Sequence, residues 1–159
     1  MHALYNNAKE VTSLDISKQA LEIALENGKL NNYKGQHKTI SGDAFEELKK
    51  LIDKKTTYDV VVIDPPSFAK QVSEINLAKK KYQQLAKLGV QLTSRNGLLV
   101  LASCSSRVLA EDFFNINENT LEAFKRKFQI ISQTYHDIDH PISFPEGAYL
   151  KCGYYRFND

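Results

Sequence analysis

No apolar run in this sequence approaches the roughly 18 residues that would span a bilayer. Residues 1–9 carry neither the basic nor the apolar region of a secretory leader, so a membrane role is not expected and the chain reads as cytoplasmic. Cysteine is scarce. Cys104 and Cys152 lie far apart and form no CxxC or metal-type spacing, which argues against a disulfide framework or a zinc knuckle and leaves two reduced thiols. The glycines are Gly28, Gly35, Gly42, Gly89, Gly97, Gly147 and Gly153, and none falls in a GxGxxG. A doubly wound nucleotide site starts with a strand, a glycine-rich turn and a helix, because glycine lets the backbone approach its ligand, and nothing before Glu10 can supply that unit. Repeats, linkers and low-complexity segments are also missing.

What is present is enough for one domain with a real core: 159 residues, 42% hydrophobic and 25% charged. The net charge of +2 permits a nucleic-acid partner without demanding one. Strand and helix patterns alternate, which implies an α/β protein with a mostly parallel sheet. Strands are expected over residues 10–15, 36–41, 58–63, 98–103, 128–134 and 149–157. Helices are expected over residues 18 to about 32, where Ser17 caps a stripe of Ala20, Leu21, Ala24 and Leu25, then from about Asp43 past Leu51, over 75–92, and over 108–127. Residues 60–63 are four β-branched side chains in a row, the pattern of a central strand buried on both faces, and Arg95-Asn96-Gly97 reads as a turn.

Two strand ends carry the chemistry. Asp64-Pro65-Pro66-Ser67-Phe68 follows one apolar run and Ser103-Cys104-Ser105 follows another. Open parallel sheets hold their ligands outside the carboxyl ends of the strands. A carboxylate and a thiol at neighbouring ends suggest covalent chemistry on a pyrimidine ring. Two prolines fix φ and remove amide donors, so Asp64 stands on a rigid ledge, though loop punctuation also explains them. Cys104 is either a nucleophile or a small buried apolar residue, and its flanking serines argue against the second. Cys152 sits within an expected strand and reads as structural.

Taken in order, Val11-Thr12-Ser13-Leu14-Asp15, Ser41-Gly42-Asp43-Ala44-Phe45, Asp64-Pro65-Pro66-Ser67-Phe68, Ala102-Ser103-Cys104-Ser105 and the tail His140-Pro141 to Pro145-Glu146-Gly147-Ala148-Tyr149-Leu150-Lys151 form a set. The set resembles the catalytic domain of the class I S-adenosylmethionine-dependent methyltransferases that modify cytosine carbon 5 in large-subunit ribosomal RNA. That resemblance implies a Rossmann-like methyltransferase sheet with helices on both faces and an antiparallel last strand. It covers nearly the whole chain but departs at the front, where the family has an RNA-binding PUA domain, a linking region, a first strand and a glycine-rich cofactor loop. The chain is therefore expected to be an amino-terminally truncated catalytic domain in which His2-Ala3-Leu4-Tyr5 ends the first helix. The missing strand would lie between those ending at Asp15 and Asp64. The gap is expected to close by direct pairing of these two or to be filled by association, for instance as a homodimer.

The resemblance assigns S-adenosylmethionine to Asp15 and Ile16 at the ribose, Asp43 and Ala44 at the adenine, and Asp64 with Pro65. Asp43 serves equally well as a helix cap; for Asp15 that role is contested by Ser17, which favours the ribose, and Phe45 could pack on adenine or belong to the core. Pro66, Ser67, Phe68, Arg107 and His140 would meet the substrate RNA, with Cys104 and Asp64 catalytic. Thiolate addition to carbon 6 makes cytosine carbon 5 nucleophilic. Exocyclic amino methyltransferases of RNA or DNA share a similar Asp-Pro-Pro end, usually with an aromatic residue where Ser67 stands. A truncated chain unable to bind cofactor is the third reading. His136-Asp137-Ile138-Asp139-His140 resembles a metal cluster, but methyl transfer needs no metal and none is assigned. Lys79-Lys80-Lys81 with Tyr82 could meet RNA phosphates or form a solvated face.

Overall fold

A computed structural model describes residues 2–159, and the chain forms two compact units, one running up to Lys50 and the other Leu51–Asp159. The first unit contains α1 (His2–Tyr5), β1 (Glu10–Asp15), α2 (Lys18–Lys29), β2 (Gln36–Ser41) and the beginning of α3 (Ala44–Asp53). β1 and β2 pair in parallel, from Glu10 opposite Gln36 to Asp15 opposite Ser41. A parallel pair needs a crossover, and α2 provides it. Its first turn is capped as expected, with the Ser17 hydroxyl accepting from the Ala20 amide at 3.2 Å. The helix stops at Lys29, before the expected residue 32, because Asn31 folds back to donate its side-chain amide to the Asn27 carbonyl at 2.7 Å. Of the expected apolar stripe only Leu21 is buried, and Leu25 is 38% exposed, since a two-stranded sheet is too narrow to cover the rest.

The second unit is built on β3 (Tyr58–Ile63), α4 (Ile75–Leu92), β4 (Thr93–Ser103), α5 (Ala110–Ala123), β5 (Phe128–Thr134) and β6 (Lys151–Phe157). They form a four-stranded sheet in the order β3-β4-β6-β5. β3 and β4 are parallel and the last strand, β6, is antiparallel to both neighbours, as expected. Val61, Ile63, Leu99, Leu101, Tyr155 and Phe157 are buried on one face of this sheet. α4 lies on that face at Gly89, where a Cβ would come within 2.8 Å of Leu99 and 3.0 Å of Ile63, so only glycine permits the approach. Phe113 of α5 packs edge-on against Tyr82 of α4 with ring centroids 5.2 Å apart.

Several expectations need correction. β3 is not a central strand buried on both faces but an edge strand of its sheet, because the helices of its unit cover only the face of Val61 and Ile63. Val60 and Val62 remain 55% and 64% exposed. Nor do the strands ending at Asp15 and Asp64 pair directly: among the described residues β1 pairs only with β2, and β3 only with β4. β4 starts at Thr93 instead of residue 98. The expected turn at Arg95-Asn96-Gly97 is absorbed as an irregularity, with Asn96 at φ 57° and the register jumping from Tyr58 opposite Thr93 to Val60 opposite Leu98. α5 is shorter than expected, ending just before Phe124 and Lys125, the latter at φ 55°, and β6 begins at Lys151.

The far end of the second unit is stapled by one cation. Arg126 donates to the carbonyls of Val90 and Thr93, both at 2.8 Å, and of Ser94 at 3.0 Å. It also grips both carboxylate oxygens of Asp159 at 2.8 Å and lies 3.8 Å above the Phe157 ring. All five guanidinium protons have acceptors. Among the described residues no helix is long and apolar enough to cross a membrane.

Candidate functional site

In the first unit the carboxyl ends of β1 and β2 bring two carboxylates to neighbouring positions, with the Gly42 amide donating to the Asp15 carbonyl at 3.1 Å. Asp15 accepts the Ser17 amide at 2.7 Å through one oxygen. Asp43 accepts the Glu46 amide at 3.2 Å and so caps α3, of which Ala44 is the first residue. Both acids are exposed and do helix-end work. Their second oxygens have no partner among the described residues and are open to hydroxyl or amino donors. Ile16 is 74% exposed beside them.

In the second unit the register of β3 and β4 sets Ile63 opposite Leu101, so the segments leaving these strands run side by side. Asp64 is exposed and Cys104 half-buried, and the Cys104 thiol donates to the Pro65 carbonyl at 3.8 Å. The sulfur therefore sits against the peptide group between Pro65 and Pro66. The thiol thus lies against the segment that begins at Asp64. Below them, Ser103 donates to the Tyr82 hydroxyl at 2.8 Å and accepts the Ser105 amide at 3.2 Å. Burial raises the Tyr82 pKa, against the hydrogen bond from Ser103, and the negative charges of Cys104 and Asp64 push it further up.

The ledge after Asp64 is closed by its own contacts. Pro66 is exposed, Ser67 donates to the Ala69 carbonyl at 3.3 Å, and Phe68 lies 5.1 Å from the Tyr82 ring with the Lys81 ammonium 5.0 Å above it. Glu74 accepts the Lys70 and Gln71 amides at 2.8 and 3.2 Å, which holds its pKa down. Arg107 is exposed in the turn after Cys104. His140 belongs to a different cluster, stacked 4.2 Å from His136, with both rings edge-on to Tyr149. His136 accepts the Leu150 amide at 3.1 Å.

The Lys79-Lys80-Lys81 run with Tyr82, expected either at phosphates or in a solvated face, is mostly spent internally. Lys79 pairs with Asp112 at 2.9 Å, Lys81 covers Phe68, and Tyr82 is only 2% exposed. Among the described residues no group of three or more His, Cys, Asp or Glu side chains could hold a metal ion.

One residue escaped notice except as a letter in the tail motif. Lys151 is 1% exposed, and its ammonium donates to the carbonyls of Ser105 and of Val108, the latter at 2.5 Å. Burial pulls its pKa down to about 8, against the opposing pull of the Cys104 thiolate. Strand parity carries the signal, because Lys151 shares the inward phase of Gly153, Tyr155 and Phe157.

A family model described as "Conserved hypothetical protein 95" matches residues 1–128. The chain belongs to that family. Among proteins it resembles, the "Ribosomal RNA large subunit methyltransferase" of Deinococcus radiodurans is 38% identical over 153 residues, covering 96% of this chain and 38% of that protein. The "Ribosomal RNA large subunit methyltransferase I" of Shewanella frigidimarina is 33% identical over 154 residues, covering 95% and 39%. The chain thus spans well under half the length of these relatives. Among solved structures, SMU.776 complexed with SAH superposes with a TM-score of 0.76 at 24% identity, over 94% of this chain and 39% of that one. A SAM-dependent methyltransferase from Agrobacterium tumefaciens gives 0.66 at 19%, over 98% and 50%. At such identities the structures speak for the fold, a Rossmann-like methyltransferase α/β fold.

Proposed function

We propose that this chain is the catalytic portion of an S-adenosylmethionine-dependent methyltransferase that acts on cytosine carbon 5 of large-subunit ribosomal RNA. One observation carries the reading: the Cys104 thiol lies 3.8 Å from the carbonyl of Pro65, the residue after Asp64. The relatives' names support its coarser part, methyl transfer to large-subunit ribosomal RNA. In this reading the Cys104 thiolate forms a bond to carbon 6, and the electron pair of the 5,6 double bond becomes available at carbon 5. The cofactor supplies an electrophilic methyl group. Once carbon 5 carries the methyl group, transfer of its proton to a base, water if no side chain serves, would return the electron pair to the 5,6 bond and expel the Cys104 thiolate. Asp64 holds the cytosine edge and stabilises a proton at ring nitrogen 3 as charge develops.

Asp15 and Asp43 fit the adenosine part of the cofactor, since each offers a free carboxylate oxygen, one for vicinal hydroxyls and one for an amino group. Within the first unit Ile16 and Ala44 stand beside these acids as cofactor contacts; within the second, Pro66, Ser67, Phe68 and Arg107 would meet RNA near Cys104, and His140 would do so from its cluster with His136 and Tyr149. Self-association through β3 belongs to the same reading, and rests on its having β4 as its only strand partner among the described residues.

Nucleoside mass spectrometry of ribosomal RNA treated with the chain and cofactor tests the assignment. A graft of the chain into the matching segment of the Deinococcus relative keeps the test decisive if the chain alone holds cofactor weakly. The expected product is 5-methylcytidine, abolished by Cys104→Ala. Methylation of an exocyclic amino group that survives Cys104→Ala would establish the amino-methyltransferase alternative.

A further inference from the structure

The turn from Cys104 to Val108 is held against its own interest. Ser105 is fully buried, and its hydroxyl has no hydrogen-bond partner among the described residues. A buried hydroxyl without a partner is costly, and the turn could relieve it by swinging Ser105 into water. Two bonds oppose that movement: the Ser105 amide to the Ser103 hydroxyl, and the Ser105 carbonyl to the Lys151 ammonium. The same ammonium takes the Val108 carbonyl at 2.5 Å, so one cation closes both ends of the turn that follows the thiol. Lys151 can do so because Ser103 is its register partner on β4, which fixes the base of its side chain beneath the turn.

The arrangement is expensive. Among the described residues Lys151 has no ion-pair partner, and a buried cation without a carboxylate is an unfavourable way to fill space. An apolar side chain would pack there more cheaply, which suggests that the lysine serves the turn more than the core. We propose that Lys151 is a positioning residue, whose buried ammonium ties the Ser105 and Val108 carbonyls and thereby keeps the Cys104 thiol seated at Pro65 beside Asp64. It touches neither substrate nor cofactor and acts through Cys104. The proposal rests on the reading of Cys104 as the nucleophile.

Hydrogen exchange on the intact chain, with Lys151→Met and Lys151→Arg, separates positioning from general support. The expected result for Lys151→Met is at least a tenfold loss of protection confined to the amides from Ser105 to Val108, with β6 and β4 unchanged. Lys151→Arg, which keeps the charge and donors, should restore most of it. Methyl transfer should fall about a hundredfold in kcat with the KM for cofactor unchanged, as a small displacement of a reacting group predicts. Unchanged turn protection in Lys151→Met, or a loss spread evenly over the sheet, would overturn the proposal. If Lys151→Met does not fold, the wild-type chain answers instead. Slow proton exchange and through-bond coupling from the Lys151 ammonium to the two carbonyls support the tether, and a freely exchanging ammonium refutes it. Cys104→Ala with undiminished transfer would sink the nucleophile reading itself, an outcome distinct from failure of the exchange experiment.

Discussion

The two ends of β4 are held by the same device with one difference. At the strand's beginning Arg126 binds three backbone carbonyls, and its charge is matched by Asp159. At its close Lys151 binds two carbonyls and, among the described residues, no carboxylate. The Arg126 staple is complete, satisfied in every proton and covered by the Phe157 ring. The Lys151 tether leaves a bare buried charge beside a thiol, over a turn that also strands the Ser105 hydroxyl. Imbalance of this kind is tolerated where a site needs it, and the balanced end is the one remote from Cys104.

Substitutions can break or sharpen this contrast. The largest effect is expected from Arg126→Ala, which frees three carbonyls and leaves Asp159 without its partner. Urea unfolding should show a loss of about 3 kcal/mol, with protection of the Ser105 to Val108 turn retained in the folded fraction. Lys151→Met should do the reverse, changing global stability by no more than about 1 kcal/mol, because an apolar residue replaces an unpaired charge. A deficit as large as that of Arg126→Ala would erase the distinction between the two ends. Tyr82→Phe comes next, at about 1 kcal/mol by thermal melting, because Ser103 loses one partner but keeps the Ser105 amide.

Titration acts with opposite signs at the two ends. Lys151 has its pKa lowered from 10.5 to about 8, so the fold binds fewer protons than the unfolded chain between those values. Its burial penalty is fully present below pH 8 and is relieved as pH rises towards 10.5, so the wild type should gain stability relative to Lys151→Met across that window. Asp159 has its carboxyl pKa lowered from 3.8, first by the hydrogen bond from Arg126 and then by its charge. The staple's contribution is therefore whole above pH 3.8 and is lost as pH falls through the lower folded value. Stability against pH for the wild type, Lys151→Met and Arg126→Ala checks both signs.

Much of the fold was legible in the sequence. The strands ending at Asp15, Ser41 and Ile63, and the carboxyl end of the one closing at Ser103, were placed correctly because each is a short apolar or alternating run closed by a polar residue. That the segments carrying Asp64 and Cys104 leave neighbouring strands side by side followed from parallel pairing alone. Burial was harder. Four β-branched residues from Val60 to Ile63 looked like a strand covered on both faces, but periodicity reports what a strand can bury and not what its neighbours provide. The early start of β4 was hidden because Arg95-Asn96-Gly97 has the composition of a turn, and the sheet accommodates it as an irregularity. Lys151 carried no assignment and Tyr82 was grouped with a charged run for a common reason. Side chains with polar ends read as surface residues until the backbone shows the carbonyls or hydroxyls that receive them.

The most direct test of the central claim is mass spectrometry of the chain after incubation with S-adenosylmethionine and large-subunit ribosomal RNA substituted with 5-fluorocytidine, in which fluorine blocks the final proton loss. The account predicts a denaturant-stable RNA adduct on the peptide containing Cys104, absent in Cys104→Ala. Methylated RNA with no such adduct, or an adduct on Cys152, would contradict it.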